Sequence, residues 1–285
     1  MQRQTMVFRT HTGMPVSESE RLPQTPFSAL IAALRAQADG YAIELPADWL
    51  QGRTAYGGLS AALCVEAALQ AHAELPPLRS AQFCFIGPAT GVLRMVPKLL
   101  RKGKSTVVLG VDLEGDSGLA ARAALCFGAS RPVAQDYASL RMPALPAPEA
   151  GPPYYSWPNR PNFMSHFDGR LAAGCRPGAP SQAPEMTVWL RHLDQGEGHP
   201  LVWLLALADA LPPAALVLYE QAVPISTMTW SIDFLDAAPQ TADGWWLAHA
   251  VADTAQQGYS AQRTTIWNRD GQPTLIARQN VVLFG

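Results

Sequence analysis

The chain has 285 residues, 48% of them hydrophobic, enough for one large domain or two smaller ones and inconsistent with disorder throughout. Its 21 Lys and Arg against 23 Asp and Glu give a formal charge of -2 with no dense basic tract, so nucleic-acid binding has no electrostatic support. The longest apolar runs fall far short of a membrane span and the first residues lack the pattern of an export signal, so a cytoplasmic protein is expected.

In chain order, MVFRT near the start is a candidate strand. GGLSAALCVEAALQAH at 57 to 72 predicts a helix: two glycines open an Ala- and Leu-rich run that stops near Pro76 and Pro77. SAQFCFIG at 80 to 87, VLRMVPKLLRKGKSTVVLGVDLEG at 92 to 115 and LAARAALCFG at 119 to 128 read as strands. Their short turns favour antiparallel pairing, because a parallel crossover needs a dozen or more residues. Residues 131 to 184 carry many prolines and glycines without a sustained period and read as a connection, within which MSHFDGRLA at 164 to 172 is a candidate short strand.

The same order then returns. HPLVWLLALADAL predicts a helix before Pro212 and Pro213, followed by the strands PISTMTWSIDFL, WWLAHAVADTAQQ, GYSAQRTTIWNRDG and TLIARQNVVLFG. The closing strands of the two halves also align, with Phe127 and Phe284 each before a glycine. The division expected is an N-terminal unit at 1 to 130, the connection at 131 to 184 and a C-terminal unit at 185 to 285.

Several familiar chemistries are excluded. GKS at 103 to 105 lacks the glycine that a phosphate-binding loop needs at position 98, which is Lys98, and neither GxSxG nor GxGxxG occurs. Six scattered histidines without HExxH predict no metal site. Cys64, Cys84, Cys126 and Cys175 form no CxxC pair and read as reduced core residues. The basic turn with Arg101, Lys102 and Lys104 is either a solvated hairpin or a place to meet phosphates.

Asp209 closes an otherwise apolar helix, where a carboxylate must stay solvated, accept hydrogen bonds or change its ionisation. In STMTWSIDFL, strict alternation puts Thr227, Thr229, Ser231 and Asp233 on one face. In TLIARQNVVLF, Gln279 interrupts the apolar row of Leu275, Ala277, Val281 and Leu283, and a buried amide needs partners.

GRTAYGGLSAALCVEAAL, RKGKST, LVWLLALADALPP, PISTMTWSIDFL and DGQPTLIARQNVVLF together resemble the acyl-CoA thioesterase II family and its wider group of double hotdog proteins. The resemblance implies an α+β fold, with two long antiparallel sheets each wrapped around a central helix. It implies hydrolysis of acyl-CoA without a cofactor, a role in lipid metabolism, and a homo-oligomer with a dimer as the simplest form. Asp209 takes the family's catalytic Asp position, Thr227 its hydroxyl position and Gln279 its Gln position, with Asp209 drawing a proton from a water that the other two orient. Thr229, two residues along, is the alternative hydroxyl, and Thr229 and Trp230 stand where the family strand commonly carries Asp and His. Tyr56, Gly57 and Gly58 are candidate substrate-shaping or oxyanion residues, or simply a tight loop at a helix start. Arg101, Lys102 and Lys104 are candidates for the CoA phosphates. The rival expectations are a noncatalytic acyl-CoA-binding protein and a hotdog hydratase or dehydratase.

Overall fold

The computed structural model describes residues 24–157, 160–179, 183–221 and 223–285, so the candidate strand at MVFRT lies outside the described residues. The first half runs α1 (Phe27–Ala32), β1 (Arg35–Gln37), β2 (Gly40–Glu44), a small hairpin of β3 (Leu50–Gln51) and β4 (Thr54–Ala55), then α2 (Gly57–Ala71). Four strands follow: β5 (Leu78–Phe85), β6 (Val92–Lys102), β7 (Thr106–Gly115) and β8 (Gly118–Gly128). The second half repeats the order with β9 (Phe167–Gly174), β10 (Glu185–His192), α3 (Pro200–Ala208), β11 (Ile225–Phe234), β12 (Trp246–Gln256), β13 (Tyr259–Asn268) and β14 (Pro273–Leu283).

All but the small hairpin join one 12-stranded sheet, in the order β1-β2-β6-β7-β8-β5-β11-β14-β13-β12-β10-β9. Read outward from its centre, each half gives the same sequence of strands, so the chain is two like units meeting at an antiparallel seam between β5 and β11. There Cys84 stands opposite Thr229 and Ser80 opposite Asp233. This is a double hotdog whose two sheets are hydrogen-bonded into one. Turn chemistry supports the pairing: Gln257 and Gly258, both at positive φ (53° and 78°), link β12 to β13 as a two-residue turn that suits the right-handed twist of its strands. Because β9 pairs with β10, the strand expected within the connection belongs to the second half's sheet.

Both central helices are apolar on nearly every side, as expected of helices that lie inside a core rather than on its surface. They pack against each other on one face of the sheet, where Gly58 of α2 allows close approach to the end of α3. The apolar core runs unbroken across both halves. Of the four cysteines, all unpaired, Cys64 is buried as expected but Cys84 is exposed on the seam. The closing strands do not share a register of faces: Phe127 is buried whereas Phe284 is exposed, a one-residue offset that reverses every side chain.

The connection is ordered over much of its length and covers the sheet's opposite face in the second half. Met142 and Leu145 close over a second core made of Trp189, Trp245, Leu247 and Trp267, and the Trp189 indole donates to the Pro146 carbonyl at 2.9 Å. Trp189→Ala should therefore lower unfolding free energy by about 3–5 kcal/mol in urea titration and expose residues 141 to 150 to protease. A loss below about 1 kcal/mol would mean that the strap adds little to stability.

Candidate active site

Asp209 directly follows α3. The backbone there has left helical geometry (φ −104°, ψ 9°), and Pro212 and Pro213 prevent the helix from resuming. Carbonyls at a helix end need partners from outside the helix. The Tyr56 hydroxyl supplies one to Ala206 at 2.6 Å, and the Tyr155 hydroxyl donates to the carbonyl of Ala210 at 3.0 Å.

The start of α2 abuts this end. A Cβ on Gly57 would stand 2.7 Å from Asp209 Oδ2, and one on Gly58 would stand 2.9 Å from both the Asp209 Cβ and the Ala206 carbonyl oxygen. Two glycines are what let the helices meet, and the Gly58 N–H donates to the Asp209 carboxylate. That carboxylate sits at the positive end of one helix and the negative end of the other, so the two dipoles oppose each other there.

From the second half, Gln279 on β14 donates its amide N–H to Asp209 Oδ1 at 2.5 Å. Its own carbonyl accepts from the amide of Gln262, directly opposite on β13, and the Gln262 carbonyl accepts the Ala214 N–H at 2.9 Å. Burial pushes the Asp209 carboxyl up to about 7, against the downward pull of the Gln279 and Gly58 donors.

The strict alternation expected along β11 is broken. A bulge between Thr227 and Thr229 inserts Met228, so the two threonines no longer share a face. Thr227 turns toward Asp209, while exposed Thr229 lies on the other face beside Gln82, Cys84 and Arg122.

Two cavities meet at Asp209, and both are lined by Asp209, Thr227, Gln51 and Ile225. The smaller, about 350 Å³, lies toward the start of α2 and includes Gly57, Ser60 and Ala89. The larger, about 530 Å³, includes Gln279 and is walled by Trp157, Phe163, Met164, Leu211 and Leu216. Much of this wall comes from the connection and from the segment after α3. Among the described residues no histidine lines either cavity. Among the described residues no group of three or more His, Cys, Asp or Glu is placed to hold a metal ion. Nor is any helix of the described residues long and apolar enough to cross a membrane.

The structure thus brings Asp209, Thr227 and Gln279 together, with Gly57 and Gly58 beside them. Tyr56 is placed differently from a substrate contact: it is 1% exposed, stacks on Phe163 at 4.2 Å, and has its hydroxyl committed to α3. Gly58 packs against Asp209, and its backbone N–H helps to hold that carboxyl down. Arg101, Lys102 and Lys104 lie at the β6–β7 turn, five strands from Gln279 across the sheet, and line neither cavity. Arg101 instead lines an open groove with Arg79 and Arg131.

Sequence reasoning missed Gln262. Along β13 it shares a row with Ser260, Thr264 and Ile266, a row polar enough to read as solvent-facing, yet Ser260 and Gln262 are buried. The usable signal was Arg263, which marks the alternate row as the exposed one.

Fold and site define a hotdog protein with a carboxylate at the junction of its halves. Residues 45–128 match the family model of the acyl-CoA thioesterase N-terminal domain and residues 141–283 that of the acyl-CoA thioesterase C-terminal domain. The chain belongs to the acyl-CoA thioesterase family. Among solved structures it is similar to a hot dog fold protein from Alicyclobacillus acidocaldarius, at 22% identity and a TM-score of 0.82 over 92% of this chain and 99% of that one. It is also similar to acyl-CoA thioesterase II TesB2 from Mycobacterium marinum, at 18% identity and a TM-score of 0.71 over 89% and 96% of the two chains. The tesB protein of Mycobacterium avium subs paratuberculosis gives 16% identity and a TM-score of 0.73 over 89% and 98%. No curated protein matches the chain significantly.

If Tyr56 clamps the two helices, Tyr56→Phe should cost about 1–3 kcal/mol of stability by leaving the buried Ala206 carbonyl unpaired. Thermal and urea unfolding measure this directly. A variant as stable as the parent but weaker in substrate binding would instead make Tyr56 a substrate contact.

Proposed function

We propose that the protein hydrolyses an acyl-CoA thioester, with Asp209 as general base for a water held by Thr227 and Gln279. The observation carrying this reading is a carboxylate tuned to about 7 that faces two cavities at once, in a chain of the acyl-CoA thioesterase family. A base with a pKa near working pH combines a useful ionised fraction with a real tendency to accept a proton.

Hydrogen-bond bookkeeping fits one water. Gln279 has its carbonyl taken by Gln262 and one N–H on Asp209, which leaves its second N–H to donate to the water oxygen. The water donates one hydrogen to the Asp209 carboxylate and the other to the Thr227 hydroxyl oxygen, and its remaining lone pair attacks the thioester carbonyl. Asp209 takes the proton, a tetrahedral oxyanion forms, and the C–S bond breaks. The departing CoA thiolate then recovers that proton from Asp209. Gly57, at the start of α2, lines the smaller cavity, and its N–H is the donor suited to the oxyanion. The larger cavity suits the acyl group, because its aromatic and aliphatic wall gains from burying apolar surface and its volume falls within the usual range for small-molecule sites.

Asp209→Asn keeps the side-chain shape and removes the base. CoA release from a panel of short, medium, long and aryl acyl-CoAs should fall by about 10²–10⁴-fold in this variant while the fold is kept. Parental turnover in purified D209N on every substrate that the parent hydrolyses would falsify the base assignment. The base must be ionised, so kcat/KM should rise with pH and level off above its pKa, with a half-maximum near pH 7. A flat profile from pH 5 to 9 would contradict this.

A further inference from the structure

We propose that Gln262 is a positioning residue for hydrolysis: it fixes the Gln279 amide so that only N–H groups face Asp209 and the water, and so holds the carboxylate ready to act as a base. The proposal rests on the thioesterase reading and deepens it by one residue behind the site.

Ala214 is a buried residue at the start of a 3-10 turn after Pro213. Its N–H has no carbonyl partner within the turn and, being buried, needs an acceptor. A backbone N–H can only donate, so Gln262 must present its carbonyl there, as the 2.9 Å contact shows. The Gln262 NH₂ then faces β14, where Gln279 stands directly opposite and can meet it only with a carbonyl. The NH₂ of Gln279 is thereby turned to Asp209. One fixed donor sets the sense of every link, and all of them point at the carboxylate. Reversal of Gln279 would bring its carbonyl against Asp209 and its NH₂ against that of Gln262, two repulsive contacts at once.

Gln262 lines neither cavity, so it acts through Gln279 alone. Donors aimed at a half-buried carboxylate favour its ionised form, and loss of that orientation leaves desolvation unopposed on this side. Other charges do not explain the arrangement. Arg263 and Arg278, the sequence neighbours of the two glutamines, point to the opposite face of the sheet beside Asp253. Tyr56 and Tyr155, packed on the same helix end, have their hydroxyls committed to carbonyls and are kept neutral by burial.

Gln262→Glu keeps an acceptor for Ala214 but, once ionised, cannot donate to Gln279. Gln279 must then turn its NH₂ toward the introduced carboxylate and its carbonyl toward Asp209, so the chain of donors is reversed. Gln262→Leu removes the link without adding charge. In the full-length protein, two readouts apply: the pH profile of acyl-CoA hydrolysis, and the carbon-13 NMR titration of the Asp209 carboxyl, assigned by its absence in D209N. In Q262E the Asp209 midpoint should rise by about one unit or more, with hydrolysis at pH 7 falling about fivefold or more and recovering toward pH 9. In Q262L the midpoint should rise less, and kcat should fall with little change in KM. A folded Q262L with an unmoved Asp209 midpoint and parental kcat overturns the proposal, because the added charge in Q262E raises the midpoint by repulsion alone. If the parent hydrolyses no acyl-CoA, the thioesterase reading fails, yet the titration still decides whether Gln262 governs Asp209.

Discussion

A half-buried carboxylate at the end of α3, open only to two cavities, organises the junction of the two halves. Asp209 ends α3, and an isolated charge there would be too costly to keep without donors. The first half meets this need with the Gly58 N–H and the second with the Gln279 amide. Neither half alone surrounds Asp209. The tight crossing of the helices, the paired glycines and the two tyrosine hydroxyls on nearby carbonyls all serve that single contact. The result is a group poised between its charged and neutral forms rather than one locked as an anion.

The duplicated architecture is therefore used asymmetrically. Both units contribute a helix and a sheet in mirrored order, but the carboxylate and the amides come from the second, whereas the first supplies a helix start. The Pro- and Gly-rich connection adds what neither unit has: an apolar wall at Trp157 and Phe163 for the larger cavity, and a strap over the tryptophans on the far side of the sheet. A segment without periodicity in sequence is thus shaped by what it covers.

Much of the fold was legible because each long element carries its own pattern. The helix at 57 to 71 and the four strands after each helix follow from apolar runs and turn residues. Asp209 and Gln279 stood out because each is a polar group in an apolar row. Other features depend on contacts that local pattern does not carry. The bulge at Met228 is set by pairing with β14, and it decides which threonine faces the cavities. β10 was not anticipated, and its Trp189 faces a second core that exists only when the connection folds back. The basic turn at Arg101 lies several strands from Asp209, a separation that strand order alone reveals. Tyr56 looked like a loop residue near a substrate, and only the packing of α2 on α3 shows its hydroxyl to be engaged.

At the centre of the account is a water, and not the carboxylate itself, as the attacking group. A single turnover in oxygen-18 water, with protein in excess over acyl-CoA, separates direct attack from an acyl-Asp209 anhydride opened at the Asp209 carbonyl, by mass spectrometry of the released acid and of the Asp209 peptide. Direct attack by water puts the label in the acid and leaves Asp209 unlabelled. Unlabelled acid with oxygen-18 in Asp209 would show that the carboxylate had bonded to the acyl group, and would contradict the account.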